Sequence, residues 1–231
     1  HHRYRRLRFL YNKRFRFHGH ETDYRTLCLL NHISELLRIP AAVRDSAACW
    51  YKRLRKTEGG DRPSNASILL ICLLKAVRDS AMINPPSLRD VVFSFEKVGC
   101  KASMKKIIRA GLFCDNLGVK LRTQKSETYL SKVVNNVISF AQTSLGMNIR
   151  KGYEERLLTT SLSILRSLHN ASRGGRDPYA LAASTVYAAN KRLAKEDRDT
   201  PTLTQKLVAR ACGVAEYTIR EHWIELLRRF V

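Results

Sequence analysis

Apolar residues recur along most of this chain at three- and four-residue intervals, the spacing that lines one face of an α-helix, while strand-type alternation is scarce. Leu27, Leu30, Ile33 and Leu37 form a first stripe, closed by Pro40. Val43, Ala47, Trp50 or Tyr51, and Leu54 form a second. Residues 66–77, preceded by the capping pair Ser64-Asn65, are apolar on almost every side, which predicts a helix central to a core. Pro85-Pro86-Ser87 breaks the chain and caps a short helix over 88–97. Ser103 starts a fifth helix over 104–117, with Ile107, Ile108, Leu112 and Phe113 expected inward. A basic connector follows at 118–126.

The second half repeats the plan. Tyr129, Val133, Val137, Phe140 and Ala141 mark one helix, and Leu157, Leu158, Leu162, Leu165 and Leu168 the next. The loop Arg173-Gly174-Gly175-Arg176-Asp177-Pro178 leads to a helix over 179–192 whose core face is small: Leu181, Ala182, Ala183, Val186 and Ala189. Pro201-Thr202-Leu203 opens a short fourth helix, and 215–230 is read as the fifth. Gly59-Gly60-Asp61-Arg62-Pro63 lies over Gly174 to Pro178 at an offset of 115, and Ser87-Leu88 lies over Thr202-Leu203 at the same offset. Two tandem all-α units of about 100 residues, five helices each, are the economical reading.

Charge narrows the function. Forty-two Lys and Arg against 20 Asp and Glu give a net charge of +22, divided as +7 over residues 1–20, +9 over 21–126 and +6 over 127–231. An excess running through every part attracts polyanions, nucleic acid being the usual one, with cationic binding to membrane surfaces or acidic proteins as the competing uses. No apolar run approaches the roughly 18 residues of a membrane span; the longest, Ile68 to Leu74, is seven. The six cysteines (28, 49, 72, 100, 114 and 212) form no close pair and read as buried free thiols of a reducing compartment, not zinc ligands. Gly-rich phosphate loops, metal-ligand clusters and spaced nucleophile–base pairs are missing from the sequence, so no enzyme and no bound metal are expected. The chain begins His-His-Arg, without Met or an apolar leader, and reads as a piece of a longer protein or a tagged one.

One motif carries chemistry by itself. A short helix over 204–211, a turn at Cys212-Gly213 and a second helix from about 215 make a helix-turn-helix. Such a unit presents the N-terminal side chains of its second helix to base edges in a major groove. Here those are Tyr217, Thr218 and Arg220, between Glu216 and Glu221, with Lys206 and Arg210 on the first helix. Arg220 can donate two bonds to a guanine edge, and Thr218 can meet a thymine methyl or a phosphate. The plainer alternative is a packed helix start, with Ile219 inward and Arg220 in water. Arg62 and Arg176, in the loops before each central helix, are candidate DNA-backbone contacts because a helix N-terminus and an Arg together suit phosphate; each could equally serve only its own turn.

The blocks Gly175-Arg176-Asp177-Pro178, Ala182-Ala183-Ser184-Thr185-Val186-Tyr187-Ala188-Ala189, Thr204-Gln205-Lys206-Leu207-Val208-Ala209 and Gly213-Val214-Ala215-Glu216-Tyr217-Thr218-Ile219-Arg220 closely resemble the second cyclin-like repeat of transcription factor IIB and its archaeal counterpart. Leu37-Arg38-Ile39-Pro40, Arg62-Pro63-Ser64-Asn65-Ala66 and Ser103-Met104-Lys105-Lys106-Ile107-Ile108-Arg109 resemble the first repeat more loosely, so that the resemblance covers roughly 23–231. It implies a basic aromatic linker at 1–22, a first cyclin-like repeat at 23–118, and a second at 127–231 ending in the helix-turn-helix. It places the family's readers of the upstream promoter element at Tyr217 and Arg220, although the family usually has a small aliphatic residue where Tyr217 stands. It sets Arg78, Lys105, Lys106 and Arg109 where the family holds cations against an acidic stirrup of TATA-binding protein. Arg5, Arg6, Arg8, Lys13, Arg14 and Arg16, interleaved with Tyr4, Phe9, Tyr11, Phe15 and Phe17, fall where the family's linker engages RNA polymerase near opening DNA; a basic tail or a membrane-surface helix would share that composition.

The expectation is therefore a monomeric, non-enzymatic general transcription initiation factor that binds double-stranded promoter DNA and TATA-binding protein or a related factor and recruits RNA polymerase, without membrane contact. It would act in a nucleus, or in the cytoplasm of an archaeon. No cofactor is expected within the chain; a zinc ribbon of the family's kind would lie upstream of His1. The related factor of the RNA polymerase III system, and a cyclin-type module regulating a kinase, are the rival readings.

Overall fold

The computed structural model describes residues 18–56, 62–80, 82–100, 103–147, 149–169, 173–197 and 203–231, with only the backbone described at 18–22 and 145. The linker cations Arg5, Arg6, Arg8, Lys13, Arg14 and Arg16, and the Gly59-Gly60-Asp61 half of the repeated loop, lie outside these residues. Among the described residues every regular element is helical, and no helix is long and apolar enough to cross a membrane. The chain divides into two compact units. One holds the described residues up to Met82 with Pro86–Thr123, the other Ile83–Pro85 with Gln124–Val231.

The first unit contains α1 (His18–Leu36), α2 (Ala41–Arg55), α3 (Asn65–Asp79), α4 (Leu88–Lys97) and α5 (Met104–Asn116). Its centre is α3, on which Ser67 through Leu74, Ala76 and Val77 are all buried. The other helices supply one face each: Leu30 and Ile33 from α1, Val43, Ala47, Tyr51 and Leu54 from α2, Val91 and Phe95 from α4, and Ile107, Ala110 and Cys114 from α5. An all-apolar helix is stable in water only when neighbours wrap it, and each buried Leu or Ile contributes about 1.5–3 kcal/mol.

The second unit repeats this with α6 (Leu130–Leu145) after a tight turn over Ser126–Tyr129, α7 (Tyr153–Ser167), α8 (Pro178–Glu196), α9 (Gln205–Cys212) and α10 (Glu216–His222). Its central helix α8 is buried from Tyr179 to Asn190 without a break, more completely than its small core face predicts. The polar residues on it are satisfied from within. Ser184 Oγ donates to the Ala180 carbonyl at 2.9 Å and Thr185 Oγ1 to that of Leu181 at 2.8 Å. Asn190 donates to the Tyr153 hydroxyl at 2.7 Å and accepts from the Leu203 backbone N–H at 3.1 Å. A buried amide thus ties α7 and the approach to α9 onto the central helix.

Local signals in the sequence account for the boundaries. Ser64, Ser87, Asp177 and Thr204 are N-caps whose side chains accept from the first turns of α3, α4, α8 and α9, with Ser87 and Asp90 forming a reciprocal capping box. Four helices end alike. Arg38, Gly99, Gly118 and Gly213 turn left-handed, and the next residue (Ile39, Cys100, Val119 or Val214) donates its N–H five residues back and packs on the core. Arg38 occupies the position without glycine, at φ 52°.

Several expectations are corrected. Ile108 and Leu112 face outward, 59% and 62% exposed, in line with Met104 at 57%. The core side of α5 is the Ile107, Ala110, Cys114 edge, and one helix of this length cannot bury both arcs against a single neighbour. Cys28 and Cys49 are exposed, not buried, whereas Cys72, Cys114 and Cys212 are; all six are free thiols. Burial pushes the Cys114 thiol up to about 11 and the Cys212 thiol up to about 12. The short fourth helix is capped by Thr204, because α8 runs 19 residues against the 15 of α3 and shifts the register of the segment after it. The expected helix over 215–230 is α-helical only to His222; a wider π turn spans Trp223–Leu227 and a 3-10 turn Arg228–Phe230.

Replacing Asn190 by Ala leaves the Leu203 N–H and the Tyr153 hydroxyl without their buried partner. The expected loss is about 3 kcal/mol of unfolding free energy, measurable by urea denaturation of the whole chain.

Candidate nucleic-acid and protein interfaces

The helix-turn-helix is built on Gly213. Its φ of +62° lets α9 end in two residues and α10 begin at Glu216, while Val214 anchors the turn in the core. Leu207, Val208, Ala209 and Cys212 hold α9 inward, leaving Lys206 and Arg210 exposed one turn apart. Ile219 and His222 hold α10 inward, leaving Tyr217, 71% exposed, with Arg220, Glu221 and Ile224 on the outer side; Thr218 is half-buried. Tyr217 therefore points to solvent. Arg220 meets Glu216 at 3.4 Å, an exposed i,i+4 pair worth only a few tenths of a kcal/mol, which a stronger anion could displace.

The two loop arginines are differently engaged. Arg62 donates to the Arg55 carbonyl at the end of α2 at 3.3 Å and to Asn65 Oδ1 at 3.4 Å. Arg176 pairs with Glu225 of the π turn at 2.7 Å. The residue equivalent to Arg62 in action is Arg173, which donates to the Leu165 carbonyl near the end of α7 and pairs with Glu127 at 2.7 Å. Burial alone would raise the Glu127 carboxyl; the bonded Arg173 guanidinium reverses this and holds it below the usual carboxylate range. Both units thus use a loop arginine to satisfy carbonyls at the end of their second helix. Sequence reading overlooked Arg173 because its partner, Glu127, is 46 residues away.

In the first unit Lys105, Lys106 and Arg109 are exposed on the opening turns of α5. Arg78 belongs to another helix. It lies on the last turn of α3 and donates to the Arg122 carbonyl, in the connector after α5, at 3.2 Å. What stands beside the α5 cations instead is the ridge Met104, Ile108, Leu112, spaced four residues apart. Apolar centre and basic margin on one helix are features of a protein-contact surface, not of a phosphate-contact one.

Two all-helical units, the second carrying a helix-turn-helix with an outward cationic side, define a strongly basic helical protein. No protein-family model matches the chain. Curated relatives do. It is 29% identical to transcription initiation factor IIB of Caldivirga maquilingensis over 86% of this chain and 52% of that protein. It is 24% identical to the factor of the same name from Saccharolobus shibatae over 85% and 56%, and 26% identical to that of Archaeoglobus fulgidus over 87% and 54%. The chain is thus similar to proteins named transcription initiation factor IIB, as its motifs suggest, and spans about half the length of the curated relatives it matches. A solved CAK complex of Chaetomium thermophilum bound to ATP-gamma-S matches 90% of this chain and 64% of that one at 14% identity, with a TM-score of 0.33, a likeness too slight to argue from.

Two outcomes are expected. Gly213→Ala costs about 1 kcal/mol of stability by urea denaturation, from backbone strain alone, since a Cβ there meets nothing within 4 Å. His222, buried against Ser184 Oγ at 3.1 Å, titrates below its ordinary 6.5: burial and then Arg176 disfavour its charged form, against opposing pulls from Glu221, Glu225 and the Ala180 backbone. Its contribution to stability is complete above pH 6.5 and is lost as the pH falls below that value, because the unfolded chain takes up the proton first. Denaturation midpoints at pH 7.5 and 5.5 should differ less in His222→Gln than in the parent.

Proposed function

We propose that this chain is the promoter-binding core of a transcription initiation factor of the IIB kind, which contacts DNA through its second unit and TATA-binding protein through its first, and so recruits RNA polymerase. The observation that carries the reading is the outward side of the helix-turn-helix, where Lys206, Arg210, Tyr217, Thr218 and Arg220 stand on two helices braced by one core. Relatives bearing the name transcription initiation factor IIB support it.

Within this reading Arg220 leaves Glu216 to bond a base edge, Thr218 and Tyr217 line the groove, and Lys206 and Arg210 neutralise phosphates. Lys105, Lys106 and Arg109 form the basic margin, and Met104, Ile108 and Leu112 the apolar centre, of the surface for TATA-binding protein. Arg78, on α3 and bonded to the Arg122 carbonyl, adds a further cation to the same unit. Arg62 and Arg176, each bonded to protein groups, act on DNA at most indirectly by holding the loops before α3 and α8. A duplex bent by its partner costs several kcal/mol, on the order of 1–6, and contacts from a second protein offset part of it.

The test is a gel shift with TATA-binding protein and promoter DNA. Arg220→Ala should weaken the ternary complex about ten- to a hundredfold on specific sequence. Ile108→Glu, or Lys105→Ala with Lys106→Ala, should abolish supershift of the TATA-binding protein complex while leaving binding to DNA alone intact. DNA affinity should fall steeply with added salt. A flat salt titration, or no loss in any of these variants, would overturn the reading.

A further inference from the structure

The second unit has an open groove of about 530 Å³, lined by Lys191, Ala194 and Lys195 of α8 and by Trp223, Arg228 and Val231 after α10. Among the described residues three cations and no acidic side chain line it. Among the described residues Glu196 pairs with Arg192, Asp197 with Arg156 and Glu225 with Arg176. Its wall is aromatic. Trp223 packs edge-on against Tyr187, with ring centres 5.3 Å apart, and the Lys191 ammonium lies 5.8 Å over the Tyr187 ring. Lys195 Nζ donates to the Val231 backbone oxygen at 2.7 Å, which fixes one rim.

The π turn explains why these groups converge. The Arg228 N–H bonds to the Trp223 carbonyl five residues back, so both side chains emerge on one side of the chain. In an α-helix, residues five apart point about 140° away from each other. π turns are rare and are frequently found at functional sites. A groove of small-molecule size, a ring to stack on and three cations that pair with no acidic side chain among the described residues suit one kind of ligand: a planar ring carrying a phosphate.

We propose that Trp223, Lys191, Lys195 and Arg228 form a binding site for a single nucleotide unit, the base stacking on Trp223 and the phosphate held by the cations. The unit comes either as a free nucleotide or as an unpaired base of a single strand, and duplex DNA, whose bases are already stacked, does not fill it. The site shares no residue with the duplex-contacting set Lys206, Arg210, Tyr217, Thr218 and Arg220.

The chain has two tryptophans, so Trp50→Phe leaves Trp223 as the sole reporter. Its fluorescence should be quenched by adenosine monophosphate, by a ten-residue oligothymidylate, or by both, the pattern telling free nucleotide from single strand. Lys191→Gln with Arg228→Gln should weaken that binding about tenfold or more while leaving the promoter gel shift unchanged. Should Trp50→Phe fail to fold, anisotropy of a labelled mononucleotide and oligothymidylate on the parent chain, with and without the double substitution, reads the same affinities. No binding by either probe, binding unchanged in the double variant, or competition by inorganic phosphate as strong as by the nucleotide would overturn the proposal. So would quenching by duplex DNA equal to that by the single strand.

Discussion

Everything in each unit depends on wrapping one helix completely. Leucines and isoleucines around the whole circumference of α3, and alanines with valine and leucine around α8, have no stable exposure to water. Every other helix is one-sided because its task is to cover part of that circumference, and its remaining side is free for other chemistry. The difference in size matters. Bulky side chains on α3 keep its neighbours at ordinary distance, whereas Ala180, Ala182, Ala183, Ala188 and Ala189 let neighbours approach α8 closely. Close packing is what makes the Ser184, Thr185 and Asn190 polar groups both tolerable and specific, since each finds its bond within reach.

The all-helical architecture and most helix limits were legible because they are written locally. Caps such as Ser64, Ser87 and Thr204, the break at Pro40, and the glycine of the turn at 213 sit within a few residues of the helix ends they control. The facing of α5 was not, because Ile107 and Ile108 are equally apolar and a helix of that composition can present either arc. Only the tertiary position of α3 decides, and periodicity does not contain it. The roles of the loop arginines were hidden for the same reason. Arg62, Arg173 and Arg176 look alike in sequence, yet their partners (the Arg55 carbonyl, Glu127 and Glu225) are chosen by the fold.

Those assignments also divide the +22 charge into two populations. Some arginines are internal fittings: Arg55 with Asp23, Arg62 at the end of α2, Arg173 with Glu127 and Arg176 with Glu225. Others stand outward: Lys105 and Lys106 on α5, Lys206 and Arg210 on α9, and Lys195 and Arg228 by the π turn. Substituting the first kind acts through folding, and substituting the second leaves folding nearly untouched. Net charge alone does not distinguish them, whereas burial and partners do.

Asn190 gives the second unit a mechanical property. Because one amide grips both Tyr153 and the backbone just before α9, that helix is hinged to the middle of the unit and not merely laid upon its surface. Loosening the centre and loosening the outer pair of helices are therefore a single event. A surface mounted in that way meets its target already in shape, surrendering little freedom on contact, and it yields only when the whole unit melts.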